Sequence, residues 1–452
     1  MRPAVLAVVR ADSFHQVAGP EGVARTDPLI TPVLERLSGL GRSAATVVLG
    51  NVPEGERGLH DDAPMPLDAL TTVLTSRAER RDSREDLAGR LSGIEDVPLP
   101  VGGADFGPAL VRILAGLDKW FARQRRELLV AQRVLETLRP RVLLTGWEAS
   151  RTAWLEAARA QGVPTVSIQH GVIYPNSPDY YRRPGPGLVR PTIMCVYGAY
   201  ERRLLVEECG YPPDGVVASG SPRVTSEAAA SPADPEARAL LRRSIGVGDG
   251  EQLLMITGAR HAVGEGLVST TIYAGLLAGE LPGIHLVVKL HPEEDQGDHY
   301  AALIDGLAAA GGYRSPPVTV VRHIDLFQLL RAADAHLGIY STVLTDGVVA
   351  GTPTMVAVGQ AWADLIGYAA AGVAQPVASV DDVRSFMRSP WLPSAEVRDA
   401  FIREHFEPGD GAARIAGIVD ALAAERGRQH PAPAASRASV TERPGVRRGG
   451  GA

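Results

Sequence analysis

With 452 residues, 45% of them apolar and 22% charged, the chain has the length and composition of a globular protein with two domains. The net charge of −6 argues against a nucleic-acid partner, because nucleic-acid-binding proteins usually carry a basic surplus. Two cysteines, Cys195 and Cys209, exclude a disulfide framework and a Cys/His zinc cluster. The absence of an apolar run of about 18 residues and of a signal-peptide pattern predicts a cytoplasmic protein.

Short apolar runs alternate with helical patterns along the first half of the chain, as in α/β proteins with parallel sheets. A long amphipathic helix is predicted over residues 108–138, and shorter helices follow Glu148 and Gly198. The strands predicted for this half cover residues 4–9, 45–49, 141–145, 165–168 and 192–196. This order of elements predicts a doubly wound sheet.

A segment of linker composition, residues 226–235, separates this half from a second alternating series. Its predicted strands cover residues 253–257, 284–290, 318–321, 336–339 and 354–358, and a last helix covers 412–425. We therefore divide the chain into a domain of residues 1–225, a domain of residues 236–427 and a disordered tail of residues 428–452. In such sheets ligands bind at the carboxyl ends of the strands, so the residues that directly follow each strand are the candidates for a functional site.

Cationic side chains follow two strands of the second half. Lys289 and His291 lie at the end of an apolar strand and share a face if the strand continues, and Arg260 lies in the loop after another strand. Together they could neutralise a pyrophosphate or a departing phosphate. The alternative is a strand-end histidine bonded to backbone, beside a lysine that extends towards solvent.

A helix start with hydroxyl side chains follows the next strand. Ser341 and Thr342 are favoured residues for a helix N-terminus, whose free N–H groups bind phosphate readily. Asp346 lies one turn further and could accept hydrogen bonds from donor hydroxyls. Plain helix capping is the alternative.

In the first half, the segment Gln169-His170-Gly171 follows a predicted strand. His170 is the best candidate for a general base, because imidazole titrates near neutrality. Glu148, after the preceding strand, could orient His170 or act as the base itself. Ser221 lies at the presumed hinge and could face a donor in the second half. The alternatives are a histidine that serves the loop backbone and a simple turn at Ser221.

Other chemistries lack their motifs. The sequence has no G-x-x-x-x-G-K-[ST] loop, no G-x-G-x-x-G after the first strand and no G-x-S-x-G elbow. The acidic clusters at 60–62 and 293–295 are typical of solvated loops, so we expect neither a metal nor a cofactor. Basic pairs such as residues 182–183 are typical of a solvated face, with peripheral contact to an anionic membrane surface as the alternative.

The order of five short motifs resembles that of bacterial surface-polysaccharide transferases. The motifs are Gln169-His170-Gly171, Gly220-Ser221-Pro222-Arg223, His291-Pro292, Tyr340-Ser341-Thr342-Val343 with Asp346, and Asp410-Gly411-Ala412-Ala413-Arg414-Ile415. They are similar to those of CDP-glycerol glycerophosphotransferases and of capsule polysaccharide glycosyltransferases. The resemblance covers residues 140–425 and implies the GT-B fold, in which two Rossmann-like domains face a central cleft.

The resemblance implies an enzyme that transfers a sugar or polyol phosphate from a nucleotide-activated donor to a hydroxyl acceptor. The acceptor would be a glycan, a lipid-linked molecule or a small molecule, in the synthesis of a surface glycan or glycosylated metabolite. In such families the residue like His170 is the base, the residue like His291 contacts donor phosphates, and residues like Ser341, Thr342 and Asp346 lie at the donor site. We expect an inverting, metal-independent reaction, with the acceptor in the first domain and the donor in the second.

Two other hypotheses remain open from the sequence. A nucleotide-sugar epimerase on the same fold would need no acceptor. A non-catalytic GT-B module would bind a glycan and would bind nucleotide weakly or not at all.

Overall fold

A computed structural model describes residues 3–11, 15–19, 22–50, 65–77, 79, 100–101, 104–105, 107–177, 179–181, 189–223, 234–257, 281–290, 302, 305–306, 309, 318–322, 324–339, 341–358 and 364–429. Several predictions from the sequence concern residues outside these ranges: Arg260, His291, Tyr340, the clusters at 60–62, 182–183 and 293–295, most of the linker and residues 430–452.

The first half contains strands and helices in alternation. The strands are β1 Val5–Arg10, β2 His15–Gly19, β3 Gly22–Thr26, β4 Ala44–Leu49, β5 Met65–Pro66, β6 Pro100–Val101, β7 Ala104–Asp105, β8 Val142–Gly146, β9 Thr165–Ile168, β10 Ile193–Val196 and β11 Val216–Ala218. The helices are α1 Thr31–Gly39, α2 Leu67–Leu74, α3 Gly107–Leu138, α4 Thr152–Ala160 and α5 Ala199–Glu207. The pairs β2–β3 and β6–β7 are small antiparallel ribbons apart from the main sheet.

Within the described residues, seven parallel strands form the first sheet in the order β11-β10-β9-β8-β1-β4-β5. Both faces of this sheet are covered, which explains why its strands are predominantly apolar. In β1, Val5 and Val9 pack on one side, whereas Leu6 and Val8 pack on the other, against α3 and α4. Alternate side chains of the strand therefore point to opposite faces of the sheet and belong to two separate hydrophobic cores.

The second half repeats this architecture. Its strands are β12 Gln252–Thr257, β13 Ile284–Lys289, β14 Val318–Val321, β15 Ala335–Gly338, β16 Thr354–Ala357 and β17 Gln375–Val377. Its helices are α6 Pro235–Ser244, α7 Leu326–Ala332, α8 Thr342–Ala350, α9 Val380–Arg388 and α10 Ala395–His405. Six parallel strands, counted among the described residues, lie in the order β14-β13-β12-β15-β16-β17.

Each sheet reverses its winding direction once. The reversal falls between β1 and β8 in the first sheet and between β12 and β15 in the second. Ligands of doubly wound sheets bind outside the carboxyl ends of the strands at this switch point. The topology therefore directs attention to the segments after β1 and β8 and after β12 and β15.

The last helix, α11 Gly411–Gln429, returns to the first domain. Ile415 and Val419 are fully buried in the core between α11 and the first sheet. Asp420 forms an ion pair with Arg42, which follows α1. The crossing therefore packs the last described helix against the first domain.

The α/β doubly wound architecture predicted from the sequence is confirmed. Each of the ten predicted strands lies within two residues of an observed one, and the long helix occupies α3. The domain limits at 225 and 236 stay predictions. No helix in the described part of the chain is long and apolar enough to cross a membrane.

Candidate functional site at the facing strand ends

His170 lies at the carboxyl edge of the first sheet, directly after β9. Its ring stacks on Trp147, with ring centroids 5.1 Å apart and an angle of 16° between the planes. Trp147 itself follows β8 with φ of 52°, and its amide donates to Ile168 O at 3.1 Å. A non-glycine residue in the left-handed region is uncommon and is often found at functional sites. The strained turn after β8 thus supplies a flat surface that fixes the exposed imidazole.

Gln169 holds the turn that presents this histidine. Its side chain is 1% exposed, donates to Gly171 O at 3.0 Å and accepts from the amide of Tyr197 at 2.8 Å. Gly171 has φ of 74°, a conformation that glycine adopts without strain. In this segment, Gln169 therefore holds the loop by its side-chain hydrogen bonds, His170 exposes its imidazole, and Gly171 forms the turn.

Glu148 lies in a different environment from the one expected for a base. Its carboxylate is 2% exposed and accepts a hydrogen bond from the Tyr211 hydroxyl at 2.8 Å. Burial, and next the charge of Glu148, raise the pKa of the neighbouring Tyr180. Its burial and its hydrogen bond to Tyr211 favour a positioning role for Glu148. That Glu148 orients His170 stays a prediction.

Arg223 connects the two domains. It follows β11, and its Nη2 donates to Asp346 Oδ2 at 3.1 Å and to Thr342 Oγ1 at 3.3 Å, both on α8. The side chain of Asp346 is fully buried, and that of Arg223 is 19% exposed. Ser221, 2% exposed, accepts from the amide of Arg223 at 3.3 Å and so stabilises the same turn.

Burial and charge act in opposite directions on this ion pair. Burial raises the pKa of the Asp346 carboxyl, and the positive charge of Arg223 acts against that rise. Asp346 Oδ1 and Arg223 Nε are both buried without a hydrogen-bond partner among the described residues. Buried polar groups without partners are costly and uncommon in folded proteins. Asp346, expected to meet donor hydroxyls, thus lies against Arg223 at the domain junction.

Ser341 caps α8, as the capping hypothesis predicted. Its Oγ accepts from the amide of Val343 at 3.2 Å, and its carbonyl accepts from the Tyr368 hydroxyl at 3.3 Å. The Tyr368 hydroxyl also lies 2.8 Å from Thr345 Oγ1. The start of α8 is therefore held rigidly at the switch point of the second sheet, with its positive end towards the carboxyl edge.

Lys289 is the last residue of β13 and is 7% exposed. Its Nζ donates to Leu290 O at 3.2 Å. It pairs in register with Thr257, the last residue of β12. Arg260 and His291, which follow these two strands in sequence, lie outside the described residues, so their place at this edge of the sheet stays a prediction. In the described residues, no three His, Cys, Asp or Glu side chains are grouped to hold a metal ion.

The structure brings some predicted residues together and separates others. Ser221, Thr342 and Asp346 meet at Arg223, while His170 and Glu148 contact other partners. Sequence analysis did not select Arg223 or Trp147 as site residues. For Arg223 a signal existed, since it ends the motif Gly220-Ser221-Pro222-Arg223 after a strand. The left-handed conformation of Trp147 left no signal in the sequence.

No known family model matches the sequence, and no curated protein matches it. Solved structures do match nearly the whole chain. UDP-GlcNAc 2-epimerase from Neisseria meningitidis, bound to UDP-GlcNAc, is 14% identical with a TM-score of 0.54, covering 93% of this chain and 99% of that one. UDP-GlcNAc 2-epimerase from Methanocaldococcus jannaschii is 10% identical with a TM-score of 0.53, covering 92% and 99%.

A variant of the wall teichoic acid polymerase TagF is 11% identical with a TM-score of 0.51, covering 95% of this chain and 90% of that one. At these identities the likeness defines the fold. The chain has a GT-B-type fold of two Rossmann-like domains, an architecture that includes both nucleotide-sugar epimerases and glycan polymerases.

Proposed function

We propose that the protein is a glycosyltransferase that moves a sugar or polyol phosphate from a nucleotide-activated donor to an acceptor hydroxyl. The observation that carries the proposal is the contact of Arg223 with Thr342 and Asp346. This contact brings the turn after β11, at the carboxyl edge of the first sheet, against the helix start at the carboxyl edge of the second sheet, which supports a cleft between them.

The donor is assigned to the second domain. The start of α8, with its hydroxyl side chains and positive dipole end, suits the donor's phosphates. Lys289 belongs to this edge, and Arg260 and His291 follow it in sequence. The UDP-GlcNAc bound by the N. meningitidis structure supports a nucleotide sugar as the first donor to test.

The acceptor is assigned to the first domain, with His170 as the base. The acceptor oxygen attacks the anomeric carbon, or the phosphorus of a polyol phosphate, and passes its proton to the imidazole. The bond to the nucleotide's phosphate oxygen breaks, and that oxygen leaves with the electron pair. The protein's cations neutralise the leaving phosphate, so the proposal expects inversion at an anomeric centre and turnover in the presence of a chelator.

The proposed setting is the cytoplasm, in the synthesis of a surface glycan or a glycosylated metabolite. The acceptor would be a glycan, a lipid-linked molecule or a small molecule. A lipid-linked acceptor would bring the enzyme to the inner membrane face as a peripheral protein.

Epimerisation is the second candidate, favoured by the fold likeness to two UDP-GlcNAc 2-epimerases. The two reactions differ in whether an acceptor is needed. Incubation with UDP-GlcNAc alone, followed by proton NMR, would reveal a changed configuration at C2 for an epimerase. A transferase leaves the sugar unchanged until an acceptor is added.

Release of nucleoside diphosphate from a panel of nucleotide sugars, or of nucleoside monophosphate from a nucleotide-activated polyol, measured with a panel of acceptors, tests the proposal. The variant His170→Gln should lower kcat by about 10²- to 10⁴-fold, since it removes a general base, and should leave nucleotide affinity unchanged. His285→Gln is the matched control, because His285 lies at the amino end of β13, bonded to Thr319. Equal losses in both variants, or equal loss of nucleotide affinity and kcat in His170→Gln, would contradict the assignment.

A further inference from the structure

A cavity of about 320 Å³ opens at the carboxyl edge of the first sheet. It lies at the switch point between β1 and β8, beneath the side chains of α3. Its lining includes Arg10 from the end of β1, Arg151 from the start of α4, and Trp120, Arg123, Gln124 and Glu127 from α3. The residues proposed above for base and donor binding are not part of this lining.

The lining is rich in positive charge. Three arginines face one acidic residue, Glu127, which is 6% exposed. Burial raises the pKa of the Glu127 carboxyl, and the charges of Arg151 and Arg123 act against the rise. Arg151 is 5% exposed, and its Nη1 donates to Ser150 Oγ at 2.6 Å, which fixes the guanidinium inside the cavity wall. The described lining residues therefore form a partly open surface with a net positive charge at a position where such sheets bind ligands.

An aromatic ring adds a second kind of contact. Trp120 is 50% exposed and lines the cavity, where its flat face suits the apolar side of a sugar ring. Arg10 lies over the ring of Trp147, 5.5 Å from its centroid, and His170 stacks on the same ring. The cavity is therefore linked to the proposed base by two direct side-chain contacts.

We propose that this cavity binds an acidic sugar, held by a phosphate or carboxylate group against Arg123 and Arg151, with its ring on Trp120. Guanidinium groups match the paired oxygens of both phosphate and carboxylate. This inference rests on the proposed transferase function, for which it names the acceptor class: an anionic sugar rather than a neutral one. The site is distinct from the donor's, which is assigned to the second domain.

Isothermal titration of the full chain with three related sugars tests the inference. Glucose 6-phosphate, glucuronate and glucose differ only at C6, where they carry a phosphate, a carboxylate and a hydroxyl. At least one of the two anions should bind with one-to-one stoichiometry and with an affinity that falls as salt is added. Glucose should bind at least about tenfold more weakly than that anion. Which anion binds identifies the acidic group of the acceptor.

Two variants on α3 locate the binding. Arg123→Gln should weaken binding of the anionic sugar about tenfold, because one charge-assisted contact is lost. Arg125→Gln removes the same charge two residues away on the same helix, outside the cavity lining, and should leave the affinity unchanged. Equal binding of all three sugars, binding of none, or equal weakening in both variants would overturn the inference.

Titration of UDP, CDP, GDP and TDP into the same samples separates this inference from the proposed function. Binding of one of these nucleotides without binding of either acidic sugar overturns the acceptor site and keeps the transferase. Binding of an acidic sugar through Arg123, with none of the four nucleotides bound, supports the anion site and contradicts the transferase. Unchanged affinity for the bound nucleotide in Arg123→Gln supports two separate sites.

Discussion

At the scale of single residues, the junction between the domains depends on Arg223 and Asp346. Their ion pair spans 123 positions of sequence and is largely removed from water. The pairing explains why a carboxylate is tolerated inside α8, where it is fully buried. It also leaves Arg223 Nε and Asp346 Oδ1 without partners among the described residues.

Breaking this ion pair from one side should be costly. Arg223→Gln should lower the free energy of unfolding by about 3 kcal/mol, because it leaves a buried carboxylate without its countercharge. The double variant with Asp346→Asn should lose less than the sum of the two single changes, and chemical denaturation of all four proteins measures this coupling.

The matched control is a second ion pair between the domains, Arg203 with Glu404, whose side chains are 49% and 39% exposed. Arg203→Gln should cost less than about 1 kcal/mol, as usual for exposed pairs. Similar losses of unfolding free energy in Arg203→Gln and Arg223→Gln would contradict this prediction. So would a double variant whose loss equals the sum of the losses in Arg223→Gln and Asp346→Asn.

His336 offers a prediction about pH. Burial lowers the pKa of this imidazole from 6.5 to about 3, and its Nε2 lies 3.1 Å from Thr257 Oγ1. As the pH falls, the unfolded chain therefore takes up a proton on His336 near pH 6.5, whereas the folded chain takes up that proton only near pH 3. The stability due to neutral His336 is complete above pH 6.5 and is lost as the pH falls towards 3.

Between about pH 4 and 6, this one proton contributes a slope of about 1.4 kcal/mol per pH unit to the free energy of unfolding. His336→Gln keeps a hydrogen-bonding group near Thr257 but does not titrate. Denaturant unfolding at a series of pH values should therefore give a shallower acid slope for the variant. The same slope in both proteins would mean that His336 is protonated in the folded state.

The hydroxyl side chains at the start of α8 and the turn at His170 could be found from sequence because both depend on neighbouring residues. The strand β9, the polar residues Gln169 and His170, and Gly171 follow one another directly in the sequence. The contacts of Arg223 with Asp346 and of Glu148 with Tyr211 join residues 123 and 63 positions apart. No local pattern in the sequence specifies such pairs. The sequence therefore does not reveal that Arg223 is the partner of Asp346.

At the scale of elements, the crossing of α11 is set by close backbone approach. A Cβ atom on Gly411, at the start of α11, would lie 2.9 Å from Gly220 C and Ser221 O. Arg414, one turn further, donates from Nη1 to Ser219 O at 2.6 Å. The turn after β11, which carries Ser221 and Arg223, is therefore supported from behind by the first turn of α11.

Two glycines of α11 should respond oppositely to the same change. Gly411→Ala should destabilise the protein by about 1–3 kcal/mol, because backbone has to move to admit the methyl group. A Cβ atom on Gly417 would have no other atom of the described residues within 4 Å, so Gly417→Ala should stabilise the helix by about 0.5–1 kcal/mol. Thermal or denaturant unfolding compares them directly, and equal effects would contradict the tight contact at Gly411.

The elements themselves were largely predictable. Buried parallel strands are predominantly apolar, so β1, β8 and β13 stand out in the sequence. The strand β17, Gln375–Val377, was not predicted, because three residues that include a proline give no apolar run. The ribbon β2–β3 escaped prediction because its strands, HQVAG and GVART, lack the apolar character of a core strand.

At the scale of the whole molecule, the same strand order occurs twice, so the two switch points can serve two different ligands. The second sheet presents the rigid start of α8, and the first presents His170 beside a cavity lined with arginine. Arg223 and the crossing into α11 join these two edges. We propose that the two edges divide the labour, with the nucleotide bound at the second sheet and an anionic acceptor at the first.

The most direct test is a thermal-shift titration of the full chain with UDP, CDP, GDP and TDP, on wild type and His291→Ala. We predict that one nucleotide raises the melting temperature in a saturable way and that His291→Ala loses most of this stabilisation. That result would assign the nucleotide to the second domain and name the donor class. No stabilisation by any of the four, or full stabilisation in His291→Ala, would contradict the proposed donor site.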